Sequence, residues 1–191
     1  MVLDTVLVII GFFLFLVVVA FVVYFVSIFN GLVRLRNNIT KSWANIDVIL
    51  KQRHDELPKL LDTVKGYMRY ERGLLTDLTK LRESWSKANT LGDKAKVSDQ
   101  ISKALVTLFA RAENYPNLKA NENFQQLQQR ISGLESELAD RREFYNDSVT
   151  QFNIRIQSFP DMFVARMMHL QPSTMFQVGA EEKTDVKIDL P

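Results

Sequence analysis

After Asp4 the chain carries no charged residue until Arg34, whereas beyond Arg34 charged, polar and apolar positions are mixed throughout. Between Val6 and Phe29 only Gly11, Tyr24 and Ser27 interrupt a strongly apolar run. As a helix rising about 1.5 Å per residue, that run spans about 36 Å, enough to cross a hydrocarbon core of about 30 Å with some tilt. A cleaved secretory signal fits it poorly, because the segment lacks a basic start, exceeds the roughly 7–15 apolar residues of a signal core and has no small-x-small cleavage site. The pattern therefore predicts a retained transmembrane helix over residues 5–33, after a short external N-terminus at residues 1–4. Arg34, Arg36 and Lys41 supply side-chain cations at one end only, which by the positive-inside rule puts the soluble part in the cytoplasm.

The rest of the pattern is helical. Leu32, Leu35, Ile39, Trp43, Ile46, Leu50, Leu57, Leu60, Val64 and Tyr67 follow one another at spacings of three and four, with Arg53 in the missing slot. Such a stripe marks one face of one long helix, continuous with the membrane segment. Pro58 removes one backbone hydrogen bond and predicts a kink near Asp55 to Leu57, not an end, since the period resumes in phase. A weaker stripe runs through Leu74, Leu78, Leu81 and Trp85 and fails at Asn89-Thr90-Leu91-Gly92-Asp93, a turn by composition. A third helix carries Val97, Ile101, Leu105 and Leu108 and closes at Tyr115-Pro116, because the residue before proline avoids the helical region. The last stripe is the strongest: Phe124, Leu127, Ile131, Leu134, Leu138, Tyr145, Val149, Phe152, Ile156 and Phe159, with Arg141 in a core slot. It predicts a helix of about 35–40 residues, roughly 50–60 Å long. Ser158-Phe159-Pro160-Asp161 restarts the chain as a short amphipathic helix to about Leu170. No segment alternates at period two for long enough to build a sheet. The fold class expected is all-α: an N-terminal transmembrane helix continuing into an elongated antiparallel, mostly four-helix bundle over residues 34–170, with a flexible C-terminal tail at 171–191.

Composition narrows the chemistry. The 191 residues contain no Cys and only His54 and His169, which removes disulfides, thiolate sites and cysteine nucleophiles and leaves little for a metal. Lys and Arg total 24 against 22 for Asp and Glu, so nothing points to nucleic acid. The 7 glycines form neither a dinucleotide fingerprint nor a phosphate loop, and there is no Gly-x-Ser-x-Gly elbow. His54, in Arg53-His54-Asp55-Glu56, reads as a surface or boundary residue, and Glu135 and Asp140 as members of a salt-bridged face beside Arg141 and Arg142. Trp43, Trp85, Tyr115, Tyr145 and Phe152 lie on or next to stripes and read as core.

Several multi-residue words carry a resemblance. Phe29-Asn30-Gly31-Leu32-Val33-Arg34-Leu35-Arg36-Asn37, Ser42-Trp43-Ala44-Asn45-Ile46-Asp47-Val48, Lys51 to Leu60 and Val64-Lys65-Gly66-Tyr67 resemble the amino-terminal signature of the LemA family. Tyr115-Pro116-Asn117-Leu118-Lys119-Ala120-Asn121, Phe124, Leu127-Gln128, Glu135, Arg141-Arg142, Tyr145-Asn146, Phe152-Asn153 and Phe159-Pro160 continue it, over about residues 24–170. Phe29, Gln52 and Lys59 depart from the usual Tyr, basic residue and Asn of that pattern without removing an apolar slot. The resemblance implies a bacterial single-pass protein of the inner membrane with a mostly four-helix cytoplasmic bundle and no established reaction. It also implies kinship with a magnetosome membrane protein, and some relatives lie near genes for membrane metalloproteases.

The functional expectations follow. The chain should be a membrane-anchored structural or interaction protein that self-associates as a homo-oligomer and organises a membrane patch, with no catalysis and no cofactor. The alternative, which rests on the resemblance, is an adaptor or regulator of a membrane metalloprotease or other membrane protein. Arg34, Arg36 and Lys41 are the candidates for contact with anionic lipid of the bilayer. Arg53 and Arg141 are the candidate buried charges, with Asp47, Asp55, Glu135, Glu137 and Glu143 as available acids. In the tail, Val186, Ile188 and Leu190 alternate with charged residues, as a docking peptide for a partner's sheet edge or groove would.

Overall fold

A computed structural model describes residues 2–176 of the chain. These form six helices and no strand: α1 (Val2–Lys65), α2 (Arg72–Lys87), α3 (Leu91–Ala112), α4 (Pro116–Lys119), α5 (Glu122–Gln157) and α6 (Asp161–Met167). The tail positions Val186, Ile188 and Leu190 lie outside the described residues.

Helix ends follow local chemistry. α1 passes through Pro58 unbroken and stops before Gly66, where the amides of Tyr67 and Met68 both turn back to the Val64 carbonyl at 3.0 and 2.9 Å. That turn breaks the stripe's phase. Tyr67, expected in the core, is exposed, and Met68 is fully buried instead. Thr90 caps α3: its hydroxyl accepts from the Asp93 amide at 3.1 Å and donates to the Asp93 carboxylate at 2.6 Å. The turn expected over residues 89–93 is therefore confined to its start, because this reciprocal cap makes Leu91 to Asp93 the first turn of α3. α3 ends at Ala112, short of the expected stop at Tyr115-Pro116, and the proline instead opens α4, where it costs no hydrogen bond. The Asn121 side chain accepts from the Phe124 amide at 3.0 Å at the start of α5. Beyond α6 the amide of Leu170 reaches the Ala165 carbonyl and that of His169 the Arg166 carbonyl, both at 3.0 Å. This is the Schellman arrangement, with His169 at φ 51° in the left-handed slot that glycine usually takes.

Packing divides the chain into two compact units. The first joins residues 2–41 to Asp147–Thr174. Its core gathers Ile28, Leu32 and Ile39 of α1, Val149, Phe152 and Ile156 of α5, and Val164 and Ala165 of α6. Gly31 permits a close approach there, since a Cβ at that position would lie 3.0 Å from Nη2 of Arg155. The Arg155 guanidinium also pairs with Asp161, the first residue of α6. The second unit joins Ser42–Asn146 to Met175 and Phe176. Its apolar core takes Leu57, Leu60, Leu61 and Val64 from α1, Leu75 and Leu78 from α2, Ile101, Leu105 and Leu108 from α3, and Phe124 and Ile131 from α5. Each such side chain, fully buried, contributes roughly 1.5–3 kcal/mol, so the stripes dominate the stability of the bundle.

Candidate functional site

The second unit carries a polar layer inside its apolar core. Arg53 on α1 is 1% exposed. Its Nη2 donates to the hydroxyl of Ser98 at 2.7 Å and to the Ser98 carbonyl at 3.1 Å, and its Nη1 donates to the hydroxyl of Ser102 at 2.8 Å. Nη1 also pairs with Oε1 of Glu135 on α5, whose other oxygen accepts from Ser102 at 2.6 Å. Arg142, also on α5, donates from Nη2 to the Ser98 hydroxyl at 2.7 Å. A guanidinium this deep is retained only where its donors find acceptors, and here α3 and α5 supply them. The layer holds α1, α3 and α5 in one register, since sliding any of them by a turn would strand a charge. Burial, then the neighbouring Arg53 charge, lowers the Arg142 pKa from its ordinary value, while Glu135 and Asp99 oppose the shift.

Arg142 also leads to the C-terminal segment. Its guanidinium carbon sits 4.5 Å from the centre of the Phe176 ring, which packs in turn 6.1 Å from Trp43. Trp43 meets Tyr145 edge-on at 6.1 Å. The Asn146 side chain clamps the backbone of Phe176, accepting from its amide at 2.8 Å and donating to its carbonyl at 3.1 Å. In the first unit Asn153 grips Ser173 in the same way, at 2.8 and 2.9 Å. Residues 171–176, expected to be part of a flexible tail, are thus pinned at two points, because a primary amide offers a donor and an acceptor that match one extended residue's backbone.

The model of the LemA family matches residues 42–190. The chain is also 31% identical over 180 residues to Protein LemA of Metamycoplasma hominis, a match covering 92% of this chain and 81% of that protein. The chain belongs to the LemA family. Magnetosome proteins MamQ 1 and MamQ 2 of Paramagnetospirillum magneticum are similar at 20% identity over 186 residues, covering 84% of the chain and 68% of each relative.

In this LemA family chain the other sequence-predicted residues fall at different depths. Arg34, Arg36 and Lys41 are exposed on α1 of the first unit. Arg141 is not a buried charge: its side chain is 47% exposed and bonds to Glu137 one turn earlier at 3.2 Å. Positions 141 and 142 straddle the inward slot, and a straight helix drifts about 20° per heptad against a 3.5-residue repeat, so spacing alone does not choose between them. The acceptor on Ser98 chooses Arg142. Glu135, expected on a salt-bridged face or as an acid for a buried arginine, belongs to the polar layer and answers Arg53. His54 stacks on Trp85 at 4.6 Å with Nε2 3.2 Å from the Ser86 hydroxyl, a boundary residue. Glu56, another nearly buried acid, pairs with Arg130 at 2.8 Å and Lys59 at 3.0 Å beside an open groove of about 390 Å³. Among the described residues no three His, Asp or Glu side chains gather as metal ligands would. Sequence reasoning missed the two asparagine clamps. The signal was present, since Tyr145-Asn146 and Phe152-Asn153 repeat an aromatic-Asn pair at seven residues, two helical turns, with the aromatic on the core face.

Proposed function

We propose that the chain is a membrane-anchored interaction protein of the bacterial inner membrane, with its N-terminus outside and its bundle in the cytoplasm, whose copies self-associate and organise a membrane patch. One observation carries the reading. The most apolar 18-residue stretch of α1 has a mean hydropathy of 3.5 and none of it is buried, yet the same helix continues without a break into the core of the bundle. A helix apolar on every side needs a solvent of lipid, and one that also builds a core fixes its bundle to that lipid. The stripe that starts at Leu32 is already buried within the chain, so self-association draws instead on the uncovered surface of α1 from Val6 to Tyr24, where copies meet inside the lipid through symmetric contacts. Two relatives are named for an organelle, the magnetosome, which supports the organising half of the proposal.

Purification from native membrane in mild detergent tests it. The particle should exceed one 22.1 kDa chain. A monodisperse monomer in several detergents removes self-association, and a membrane metalloprotease that accompanies the monomer replaces it with an adaptor role. For orientation, Thr90→Cys in intact cells should escape an impermeant thiol reagent while Val2→Cys is labelled.

A further inference from the structure

Within the first unit α6 shows two apolar sides. Val164 and Ala165 are buried in the core, as is Asp161 through its pairing with Arg155. On the other side Phe159 is 79%, Phe163 59% and Met167 56% exposed. Phe163 and Met167 are one turn apart and share a face, and the Phe159 ring meets Phe163 edge-on with centres 6.0 Å apart. Aromatic rings meeting edge-on in the open form a patch that water does not favour.

The place of this patch identifies its cover. Arg155 lies against Gly31 and holds Asp161, so the start of α6 is tied to α1 two residues beyond Phe29, where the apolar run ends. From Val6 to Tyr24 every residue of α1 is exposed, and Val26 and Phe29 carry that exposed apolar surface on to the turn where Arg155 meets Gly31. In the same unit Arg34, Arg36 and Arg166 are exposed cations. An apolar aromatic face beside cations, at the depth where a spanning helix leaves the hydrocarbon, matches the boundary between acyl chains and anionic headgroups. We infer that α6 is a second membrane contact, with Phe159, Phe163 and Met167 seated in that boundary and Arg34, Arg36 and Arg166 among the headgroups. This rests on the reading of α1 as a membrane span and adds to it that the bundle end is held against the surface at two places, which limits its tilt on the bilayer.

The natural absence of Cys makes the test clean. Single variants Phe163→Cys, Met167→Cys, Phe15→Cys and Val106→Cys of the full chain, labelled with an environment-sensitive fluorophore, are placed in vesicles of phosphatidylcholine and phosphatidylglycerol. Lipids carrying a quencher high on the acyl chain should remove the larger part of the emission at 163 and 167. A quencher deep in the chain should do so at 15, and neither should at 106, an exposed apolar position of the second unit. Retained emission at 163 and 167 with quenching at 15 overturns the surface contact and leaves the span intact. Retained emission at 15 as well overturns the span, and the contact with it. Energy transfer between copies at 163 that grows with protein density, without lipid quenching, assigns the face to a second copy and also overturns the inference.

Discussion

Two stretches of α1 obey opposite rules although no break separates them. From Val6 to Tyr24 the helix is apolar all round and wholly uncovered, while from Ser42 to Lys65 only a stripe is apolar and that stripe is buried. The first stretch excludes every charge; the second seats a full guanidinium at its centre. Apolar content thus does not separate core from lipid. Periodicity does, because a core covers one face and a bilayer covers all of them. The same reasoning explains the charges: Arg53 is tolerated where Ser98, Ser102 and Glu135 answer it, and the first stretch offers no such groups.

Removing the charge from the second stretch should have the largest effect. Arg53→Ala takes the cation from Glu135, which keeps only the Ser102 hydroxyl as donor, and removes a donor from both serines, and breaking one side of such a pair costs roughly 3–5 kcal/mol. Denaturant melts of the full chain in detergent, followed by helicity, measure it. A loss within about 0.5 kcal/mol, the range of an ordinary surface change, would show that the layer is solvated. Adding a charge to the first stretch should come next. Phe15→Arg places a cation near the middle of the span, at about 2.5–3.5 kcal/mol against insertion. The variant should shift from carbonate-resistant membrane to the soluble fraction or aggregate, with the melting of the bundle unchanged. Full membrane retention would refute the contrast.

A smaller effect is expected at the clamp. Asn146→Ala leaves the amide and carbonyl of Phe176 without their partner and should cost about 1–3 kcal/mol. The loss should come with faster proteolysis after Phe176, since the ring of that residue is held to Arg142 and Trp43 from the same point. Unchanged proteolysis would show that ring contacts alone fix the segment.

Much of this was legible in the residues. Helical periodicity located α1, α3 and α5 and, more weakly, α2, because a stripe repeated over several turns leaves no other way to bury itself, while the restart at Ser158 to Asp161 located α6. The errors lie at ends and single slots. Tyr67 and Phe159 were assigned to stripes that the chain had already left at Gly66 and Ser158, since periodicity cannot see where a turn redirects the backbone. The family words named Asn146 and Asn153 but gave them no task, because their repeated aromatic-Asn pair marks two positions on α5 and not the extended segment, thirty or twenty residues away, that they clamp. Arg53 was recognisable as a charge in a core slot and Glu135 as one of its available acids, but the two α3 serines that complete the layer were not, since a hydroxyl on a helix carries no sign of the cation it will meet.

Arg141 should give the smallest effect, and it sharpens the comparison most. It shares residue type and helix with its neighbour Arg142, yet among the described residues its guanidinium pairs with Glu137, itself about half exposed. A solvated pair one turn apart gains modest Coulomb energy and gives much of it back in side-chain entropy, for a net of about 0.3–0.5 kcal/mol. Arg141→Ala should therefore melt within about 0.5 kcal/mol of wild type, matching the surface control Lys87→Ala. Arg142→Ala should exceed both, because it deletes the donor to Ser98 and the cation over Phe176 together. If Arg141→Ala instead approached the cost of Arg53→Ala, the inward slot of α5 would belong to 141, and α5 would have to be rotated by one residue, about 100°, from the position described.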